Sequence, residues 1–330
     1  MVTDARPFVV VAGGIHPDGI TQLETGARVL VSDDPTEDGM MRAAADADGI
    51  LFRIRPACTE RLMAACKRLR VVGRYGAGLD TVDLPAATRL GIAVVHAPGA
   101  NSQAVAEHAV MLMLGCAKRT RVIDRMTRAG EWAPTRFTGI TELGGKTLGI
   151  VGVGNVGRIV AKICGQGFGM RVLGVDPYVP ADELRRRGVV PVATLEELLP
   201  QCDVVTCHTP LTPETRGMIN PRTLALMKRG AIFVNTSRGP VQQEPALFEA
   251  LTRGHLGAAG LDVWEQEPCS ADNPLHNLDT VVCTSHVAGV SEEAHRAIAL
   301  QVTAEMLRVL RGDKPHVLAN PDVAPRLTLR

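Results

Sequence analysis

The sequence predicts an α/β protein built from two domains, each a doubly wound parallel sheet. Short apolar runs of strand length alternate with helical patterns along almost the whole chain. Such alternation is typical of parallel sheets that carry helices on both faces. A length of 330 residues is also long for one domain and sufficient for two.

The first third of the chain predicts repeated strand–helix units. We expect strands at residues 8–12, 28–31, 49–52, 69–73 and 93–96, and helices near 19–25, 36–45, 59–67 and 84–90. These units predict a first domain over residues 1–100, which the C-terminal residues 291–330 complete. That C-terminal part is expected to hold a helix from Ser291 to Leu310, followed by a proline-interrupted tail on the surface.

Residues 101–127 predict one long helix that crosses into a second domain. Apolar side chains recur there at helical spacing, and Asn101 and Ser102 supply turn and cap residues at its start. The second domain is expected over residues 101–290, with strands at 146–151, 171–176, 190–191, 204–208, 231–235, 258–262 and 280–284.

A glycine-rich turn follows the first strand of this second domain. Gly152, Gly154 and Gly157 are spaced G-x-G-x-x-G, and a helical pattern begins directly after them. Glycine in this context permits a tight turn, close approach of a pyrophosphate and close packing of helix on strand. Asp176 ends the next strand, at about the 20-residue spacing where an acid hydrogen-bonds an adenosine ribose. The segment predicts a Rossmann-like domain that prefers NAD to NADP, the alternative being a glycine-rich turn with a helix-capping aspartate.

Composition excludes several classes of function. The 36 Lys and Arg residues nearly balance the 35 Asp and Glu residues, and aromatic residues make up 3% of the chain. This gives no electrostatic or stacking basis for binding nucleic acid or an anionic membrane. No apolar run has the length of a membrane span, and none has the pattern of a signal peptide. The eight cysteines lack C-x-x-C pairs, so we expect reduced thiols of a cytoplasmic protein and no metal site.

Three predicted strand ends in the second domain carry reactive side chains. Arg238 follows the strand at 231–235, and a guanidinium there could bind a carboxylate through two parallel hydrogen bonds. Glu267 and His286 follow two later strands, and a histidine beside a carboxylate is suited to acid–base chemistry near neutral pH. Taken singly, Arg238 could be a turn arginine and His286 a packed histidine. Their combination with Glu267 favours a catalytic site.

Longer motifs occur in a fixed order between Gly49 and Asn320. They are Gly73–Asp80, Ala100–His108, Glu142–Gly149, His208–Thr215, Asn235–Gly239, Asp262–Pro268 and His286–Gly289. Through these motifs the chain resembles the D-isomer-specific 2-hydroxyacid dehydrogenase family, and most of all its 3-phosphoglycerate dehydrogenase branch. The resemblance implies two Rossmann-like domains with an active-site cleft between them, the first domain being flavodoxin-like and substrate-binding.

The catalytic roles of that family would fall on the three strand-end residues. Arg238 would bind and polarise a 2-keto acid, His286 would move the proton, and Glu267 would pair with His286. The implied substrate-binding residues are Arg53, Arg74, Tyr75, Gly76, Ala77, Arg238 and His286. The implied cofactor-binding residues are Gly152, Gly154, Asn155, Val156, Gly157, Asp176, Thr209, Pro210, Thr236, Asp262, His286 and Gly289.

The resemblance implies an NAD-dependent oxidoreductase that transfers a hydride between nicotinamide and a D-2-hydroxyacid or 2-keto acid. A 3-phosphoglycerate dehydrogenase-like activity is the first hypothesis, because Arg53 and Arg74 would surround an anionic substrate; alternatively, these arginines stay in solvent or contact the cofactor domain. The second hypothesis is a glyoxylate or hydroxypyruvate reductase. A hypothesis from a different class is an NAD-sensing, corepressor-like binding protein. A homodimer is also implied, with the long helix and Glu131–Trp132 at its interface.

Two departures from the family's pattern concern the site. Ser285 stands where the family usually has a proline before the histidine, and we expect a looser loop. Gln242-Gln243-Glu244 stands where the family often has Val-Asp-Glu, and we expect a changed helix cap with the chemistry intact. The chain ends soon after His286, so we expect no regulatory domain and no serine feedback. The sequence leaves the physiological substrate, the favoured direction and the pathway open.

Overall fold

The structure is a computed structural model that describes residues 5–53, 55–133 and 139–326. The chain forms two compact units, of which unit 1 comprises Met1–Asn101 and Val290–Arg330, and unit 2 comprises Ser102–Gly289. The described part of each unit contains a parallel sheet with helices between successive strands. This confirms the predicted class of two parallel-sheet α/β domains.

Five parallel strands form the sheet of unit 1. They are β1 (Phe8–Ala12), β2 (Arg28–Ser32), β3 (Gly49–Phe52), β4 (Val71–Arg74) and β5 (Ala93–His96). Their order across the sheet is β2-β1-β3-β4-β5, which is the order of flavodoxin-like folds. The helices between them are α1 (Pro17–Glu24), α2 (Glu37–Ala43), α3 (Glu60–Ala65) and α4 (Leu84–Leu90). Each helix lies where the sequence predicts it, and its ends differ from the predicted ends by about two residues at most.

The long helix predicted over residues 101–127 is broken in the structure. Helix α5 (Ser102–Ala117) ends before Arg119, whose backbone is left-handed with a φ of 52°, and α6 (Thr120–Arg128) begins after it. The Arg121 guanidinium donates to three carbonyl oxygens in the segment 276–281, a tertiary contact that fixes where α6 runs. The single-helix prediction was wrong because the helical spacing of apolar residues continues through Arg119 whereas the helical backbone does not.

Seven parallel strands form the sheet of unit 2. They are β6 (Thr147–Val151), β7 (Arg171–Val175), β8 (Val190–Pro191), β9 (Val204–Cys207), β10 (Ala231–Asn235), β11 (Leu256–Leu261) and β12 (Val281–Cys283). The intervening helices are α7 (Asn155–Lys162), α8 (Ala181–Arg186), α9 (Leu195–Leu198), α10 (Pro221–Leu226) and α11 (Glu244–Thr252). The strand order is β12-β11-β10-β9-β6-β7-β8, so its direction reverses between β6 and β9. Ligands of open α/β sheets bind at such a reversal, beyond the carboxyl ends of the strands.

A 20-residue helix, α12 (Glu292–Arg311), completes unit 1. The Ser291 hydroxyl caps its start, and Gly312 ends it with a φ of 88°. The tail beyond α12 was expected on the surface, but residues 319–323 extend the packing of the sheet. The Asn320 side chain is buried and accepts a hydrogen bond of 2.9 Å from the Val94 N–H. The surface prediction was therefore wrong for this part of the tail.

Apolar strand residues are buried on both faces of each sheet. In unit 1, Val9 and Val11 face a cluster that includes Met306 of α12, and Val10 faces the opposite cluster with Met40. This alternation follows from the two-residue period of a strand, and burial on both faces explains why the strands are continuously apolar. None of the described helices is both long enough and apolar enough to cross a membrane.

Candidate active site

The glycine-rich turn lies where the strand order of unit 2 reverses. Gly152 has a φ of 88°, and a Cβ added there would lie 2.8 Å from the His208 carbonyl oxygen. Gly157 packs against the Gly152 carbonyl oxygen, so a side chain there would push α7 away from β6. A Cβ added to Gly154 would meet no described atom within 4 Å. Packing thus explains two of the glycines, and room for a ligand explains the third.

Helix α7 begins at this turn without a side-chain cap. Gly154 is the N-cap, so the first N–H groups of the helix, those of Asn155 and Val156 among them, receive no capping side chain. Such N–H groups at a positive helix end bind phosphate oxygens. Within the described residues, the Thr209 hydroxyl is also buried without a hydrogen-bond partner, and its side chain packs against Gly152. These residues fit the pyrophosphate of a dinucleotide.

Asp176 contacts the glycine-rich turn from the end of β7. Its Oδ2 accepts the Val153 N–H at 2.8 Å, and its Oδ1 accepts the Tyr178 N–H at 2.9 Å. The carboxylate therefore lies where an acid can reach the ribose of a dinucleotide bound at the turn. Arg187 donates from Nη1 to the Val153 carbonyl oxygen at 2.5 Å, so side chains hold both polar backbone groups of Val153. The sequence analysis did not identify Arg187.

A partly buried histidine organises the residues after β9. His208 Nε2 lies 3.0 Å from the Thr206 hydroxyl, and its Nδ1 lies 3.4 Å from the Thr236 hydroxyl. Burial lowers the pKa of His208 to about 3, so the imidazole is neutral at physiological pH. Pro210 lies two residues after His208 and is exposed. Its carbonyl oxygen accepts a hydrogen bond of 2.7 Å from the Thr215 hydroxyl.

Arg238 is presented by a turn that Asn235 holds together. The buried Asn235 donates from Nδ2 to the Arg238 carbonyl oxygen at 3.0 Å. Its Oδ1 accepts the N–H of Ser237 at 2.9 Å and the hydroxyl of Ser237 at 2.7 Å. Arg238 itself is partly buried, and its Nη1 donates to the Ser237 carbonyl oxygen at 2.7 Å. The turn thus fixes the backbone position from which the Arg238 side chain extends.

Gln242 and Gln243 belong to two different features: Gln242 contacts this turn, and Gln243 lies at the start of helix α11. Gln243 is the N-cap of α11 and makes no side-chain capping hydrogen bond, which agrees with the expected change of cap. Gln242 is fully buried, and its Oε1 accepts the Asn235 amide at 3.1 Å. Gln242 thus contacts the same Asn235 side chain that holds the Arg238 turn, and this contact was not expected.

Glu267 and His286 form a short hydrogen bond, with 2.6 Å between Oε2 and Nδ1. They follow the adjacent strands β11 and β12, and Arg238 follows β10 on the other side of β11. The bond occupies Nδ1 and leaves Nε2 of His286 for a reacting group. With 45% of the His286 side chain exposed, a ligand can reach the ring.

Glu267 is held in its charged form. Burial alone would raise its pKa, but the hydrogen bond and charge of His286, together with the contacts described next, lower it further than burial raises it. The Trp264 N–H, 3.1 Å from Oε1, and the charge of Arg238 lower the pKa in the same direction. The structure therefore brings together all three strand-end residues that the sequence singled out.

His286 has a left-handed backbone with a φ of 56°, a conformation that few residues other than glycine adopt. Asp262 holds it there. The Asp262 carbonyl oxygen accepts the His286 N–H at 2.7 Å, and its carboxylate oxygens accept the N–H groups of Val287 and Ala288, both at 2.9 Å. Asp262 was expected to face a nicotinamide; in the structure its fully buried carboxylate holds the loop that ends at Gly289.

Arg53 and Tyr75 meet α12 in unit 1. Arg53 Nη2 donates to His295 Nε2 at 3.2 Å, so this guanidinium contacts a neutral acceptor. Burial first, and then the charge of Arg53, lower the pKa of His295, which keeps its ring neutral. The Tyr75 hydroxyl donates to the His295 carbonyl oxygen at 2.7 Å.

Arg74 folds over the turn that follows β4. Its Nη1 donates to the Tyr75 carbonyl oxygen, and the guanidinium packs against Gly76, whose φ is 143°. His96 at the end of β5 donates from Nδ1 to the Ala77 carbonyl oxygen at 2.9 Å. Burial and the charge of Arg74 oppose protonation and lower the pKa of His96. The five predicted residues of unit 1 thus gather at the carboxyl ends of adjacent strands.

Trp264 is a site residue to which the sequence analysis gave no role. Its N–H reaches Glu267, and its Nε1 donates to the Thr284 carbonyl oxygen at 3.0 Å, which ties the Glu267 loop to the His286 strand. Its position within the motif Asp262–Pro268 was the available signal. The described residues contain no group of three or more side chains suited to hold a metal ion.

The model of the D-isomer specific 2-hydroxyacid dehydrogenase family, NAD binding domain, matches residues 110–288. A D-3-phosphoglycerate dehydrogenase of Methanocaldococcus jannaschii is 40% identical over 318 residues, which cover 96% of this chain and 60% of that protein. The chain thus spans less than two thirds of that relative's length. A glyoxylate reductase of Korarchaeum cryptofilum is 36% identical over 325 residues, which cover 96% of this chain and 97% of that protein.

A solved structure has the same fold. The D-lactate dehydrogenase of Aquifex aeolicus, complexed with NAD and lactic acid, superposes with a TM-score of 0.80 at 28% identity, and covers 92% of this chain and 96% of that one. The matched family domain includes the glycine-rich turn, Asp176, Arg238, Glu267 and His286. The prediction of an NAD-binding domain is confirmed.

Proposed function

This chain belongs to the D-isomer specific 2-hydroxyacid dehydrogenase family, and we propose that it catalyses NAD-dependent interconversion of a D-2-hydroxyacid and a 2-keto acid. The observation that carries the proposal is the 2.6 Å bond between Glu267 and His286, with Arg238 acting on the same carboxylate. This pair lies in the unit whose glycine-rich turn fits a dinucleotide. An acid–base pair, an anion-binding arginine and a hydride carrier are what the reaction needs.

His286 moves the proton. In the direction of reduction, its Nε2 donates a proton to the keto oxygen, because Nδ1 is engaged by Glu267. The charged Glu267 stabilises the imidazolium before transfer and holds the ring in one orientation. In the direction of oxidation, Nε2 removes the hydroxyl proton of the substrate. When bound, NADH would supply the hydride to the keto carbon in reduction, and NAD would accept it from the hydroxyl-bearing carbon in oxidation.

Arg238 holds the other end of the reacting group. Its planar guanidinium binds the substrate carboxylate and draws electron density from the keto oxygen, which makes the keto carbon a better hydride acceptor. The Asn235 turn limits the positions that the side chain can take. Fixing the substrate this way converts an encounter into an oriented reaction.

The cofactor residues divide by chemistry. The turn Gly152–Gly157 and the first N–H groups of α7, with Asn155 and Val156, bind the pyrophosphate. Asp176 accepts a ribose hydroxyl and repels a 2′-phosphate, which favours NAD over NADP. Four of the remaining predicted residues line the path to the nicotinamide: Thr209, Pro210, Thr236 and Gly289. The buried Asp262 instead holds the loop that carries His286.

Unit 1 supplies the substrate-binding residues in this proposal. Arg53 and Arg74 carry positive charge at the ends of neighbouring strands, and Gly76 and Ala77 offer backbone N–H groups to a carboxylate. Two arginines favour a substrate with a second anionic group, as in a 3-phosphoglycerate dehydrogenase-like reaction. The 40% identity with the Methanocaldococcus jannaschii enzyme supports this choice.

A glyoxylate or hydroxypyruvate reductase is the second candidate. The observation in its favour is similarity, since the Korarchaeum cryptofilum glyoxylate reductase is 36% identical over 325 residues. Such an enzyme would use the same Arg238, Glu267 and His286 with a substrate that lacks the second charge. The arginines of unit 1 would then contribute little to binding.

The test measures NADH oxidation, through the loss of NADH absorbance, with a panel of 2-keto acids. The panel contains phosphohydroxypyruvate, hydroxypyruvate, glyoxylate, pyruvate and an aromatic 2-keto acid. We expect turnover, with the highest kcat/KM for phosphohydroxypyruvate. A preference for glyoxylate or hydroxypyruvate would select the second candidate. Tight NADH binding without turnover of any member would reject the enzyme and favour the NAD-sensing binding protein.

Assembly and location belong to the same proposal. The exposed Met111 of α5 and the exposed Trp132 after α6 support a homodimer that covers them, which the mass in solution would test. All eight cysteines are free thiols and six of them are buried, which supports a reducing compartment such as the cytoplasm.

A further inference from the structure

Helix α5 places a histidine behind the loop that carries His286. His108 has 16% of its side chain exposed, and its Nε2 lies 2.9 Å from the Thr284 hydroxyl oxygen. The neighbouring buried positions of α5 are apolar, for example Val105 and Leu112. Through His108, this face of α5 therefore makes a polar contact with the segment that ends in His286.

The direction of the hydrogen bonds fixes the state of His108. The Thr284 hydroxyl donates its single hydrogen to Asp262 Oδ1 at 2.6 Å, so its oxygen can only accept from His108. His108 Nε2 must then carry the hydrogen. Burial lowers the pKa of His108 more than the nearby Asp262 charge raises it, which agrees with a neutral ring protonated at Nε2.

The chain of contacts continues to the reacting histidine. Asp262 accepts from Thr284 and from the N–H groups of Val287 and Ala288, and these three contacts enclose His286 on both sides in sequence. A residue with a φ of 56° keeps that backbone only while its neighbours over-determine it. Thr284 orients the Asp262 carboxylate from the α5 side, where His108 Nε2 also lies 3.6 Å from Asp262 Oδ1.

We propose that His108 is a positioning residue: by donating to Thr284 it orients Asp262, and Asp262 holds His286 in line with Glu267. The inference rests on the proposed dehydrogenase function, because its kinetic consequence is a misaligned proton donor. His108 touches neither substrate nor cofactor in this account. Its loss should lower kcat and leave the binding constants in place.

The kinetic test compares two variants at one position. His108→Leu removes the donor, whereas His108→Gln keeps an N–H at nearly the same distance from the backbone. We expect His108→Leu to lower kcat roughly ten- to hundredfold, since small misplacements of a reacting group cost this much. The KM of the keto acid and the Kd of NADH should change less than about twofold, and His108→Gln should recover most of kcat.

A matched control comes from the same unit. His255 Nε2 lies 3.0 Å from the Leu224 carbonyl oxygen, in a contact that leads to no site residue. His255→Leu should leave kcat unchanged. Equal losses in His108→Leu and His255→Leu, or equal losses in His108→Leu and His108→Gln, would reject the positioning role. A rise in KM or Kd with kcat unchanged would reject it as well.

A second readout does not depend on turnover. Amide hydrogen exchange at Val287 and Ala288 should accelerate in His108→Leu and stay slow in His108→Gln and His255→Leu, because only the first loosens Asp262. Unchanged exchange in His108→Leu would overturn the inference. Absence of activity in the unsubstituted enzyme would instead reject the proposed function, and the exchange measurement would still decide whether His108 positions the loop.

Discussion

Both units place basic side chains at the carboxyl ends of parallel strands, but they pair them differently. In unit 2, His286 meets the charged Glu267 at 2.6 Å. In unit 1, Arg53 meets the neutral ring of His295 at 3.2 Å. A histidine hydrogen-bonded to a carboxylate is suited to move a proton, whereas an arginine beside a neutral group can attract an anionic ligand. We propose from this difference that unit 2 carries the chemistry and that unit 1 recognises the charge of the substrate.

The largest effect should come from removing the proton donor of unit 2. His286→Ala should lower kcat by about 10²- to 10⁴-fold, the usual contribution of a general acid or base. The Kd of NADH should change little, because the pyrophosphate contacts lie at the glycine-rich turn. Steady-state kinetics with NADH and titration of NADH binding measure the two quantities.

The control for this variant is His316→Ala, which removes an exposed histidine of unit 1. It should leave both constants unchanged. If His286→Ala weakened NADH binding as much as it lowered kcat, His286 would be a structural residue and unit 2 would lose its assigned chemistry.

A smaller effect should follow when the histidine keeps its place and loses its charged partner. Glu267→Gln should lower kcat for reduction about 10- to 100-fold at neutral pH, because the imidazolium is less stable beside an amide. Steady-state kinetics of NADH oxidation measure this loss. Glu265→Gln, at an exposed neighbour in the same loop, should keep the original kcat, and equal losses in the two variants would remove Glu267 from the proton transfer.

The lowered pKa of Glu267 also predicts a stability effect with a defined sign. A carboxyl group whose pKa is lower in the folded than in the unfolded protein stabilises the fold above the unfolded value of about 4.3. This contribution is lost as the pH falls through the lower, folded pKa. Denaturant unfolding should show a smaller loss of stability below pH ~4 in Glu267→Gln than in the unsubstituted protein; an equal loss would contradict the assigned ion pair.

In unit 1, the charge of the substrate should determine how much the loss of an arginine weakens binding. Arg53→Gln should raise the KM of phosphohydroxypyruvate about tenfold or more, the value of one charge-assisted hydrogen bond. The KM of glyoxylate should change little. Arg42→Gln, at an exposed arginine paired with Asp34, serves as the matched control. An equal change for both keto acids would remove Arg53 from the recognition of a second charge.

The smallest effect concerns the choice of cofactor. Asp176→Asn can still accept the N–H of Val153 or Tyr178 but no longer repels a 2′-phosphate. We expect the preference for NADH over NADPH to fall about fivefold to tenfold in kcat/KM. Asp182→Asn, at an exposed position of α8, should keep the preference. An unchanged preference in Asp176→Asn would exclude Asp176 from the ribose contact.

The fold could be predicted from sequence because its signals are local. Strands such as β1 and β10 are short apolar runs bounded by turns, and the glycine spacing marks the first turn of the dinucleotide-binding sheet. Arg238, Glu267 and His286 could be expected near one another because the ends of parallel strands meet at one edge of a sheet. That expectation needs only the order of elements along the chain.

Features set by tertiary contact could not be predicted in this way. The break at Arg119 depends on where the Arg121 guanidinium finds carbonyl oxygens more than 150 residues later. The left-handed His286 depends on Asp262, and the buried Gln242 depends on Asn235. Polar side chains in apolar helices, such as His108, give a signal only when their partners are known.

The most direct test of the account is the fate of the hydride. The enzyme would be incubated with a 2-keto acid and NADH that carries deuterium at both hydrogen positions of C4 of the nicotinamide, and the product analysed for label position and chirality. We expect a D-2-hydroxyacid that carries deuterium at C2. An unlabelled product, an L-2-hydroxyacid or the absence of product with every keto acid of the panel would contradict it.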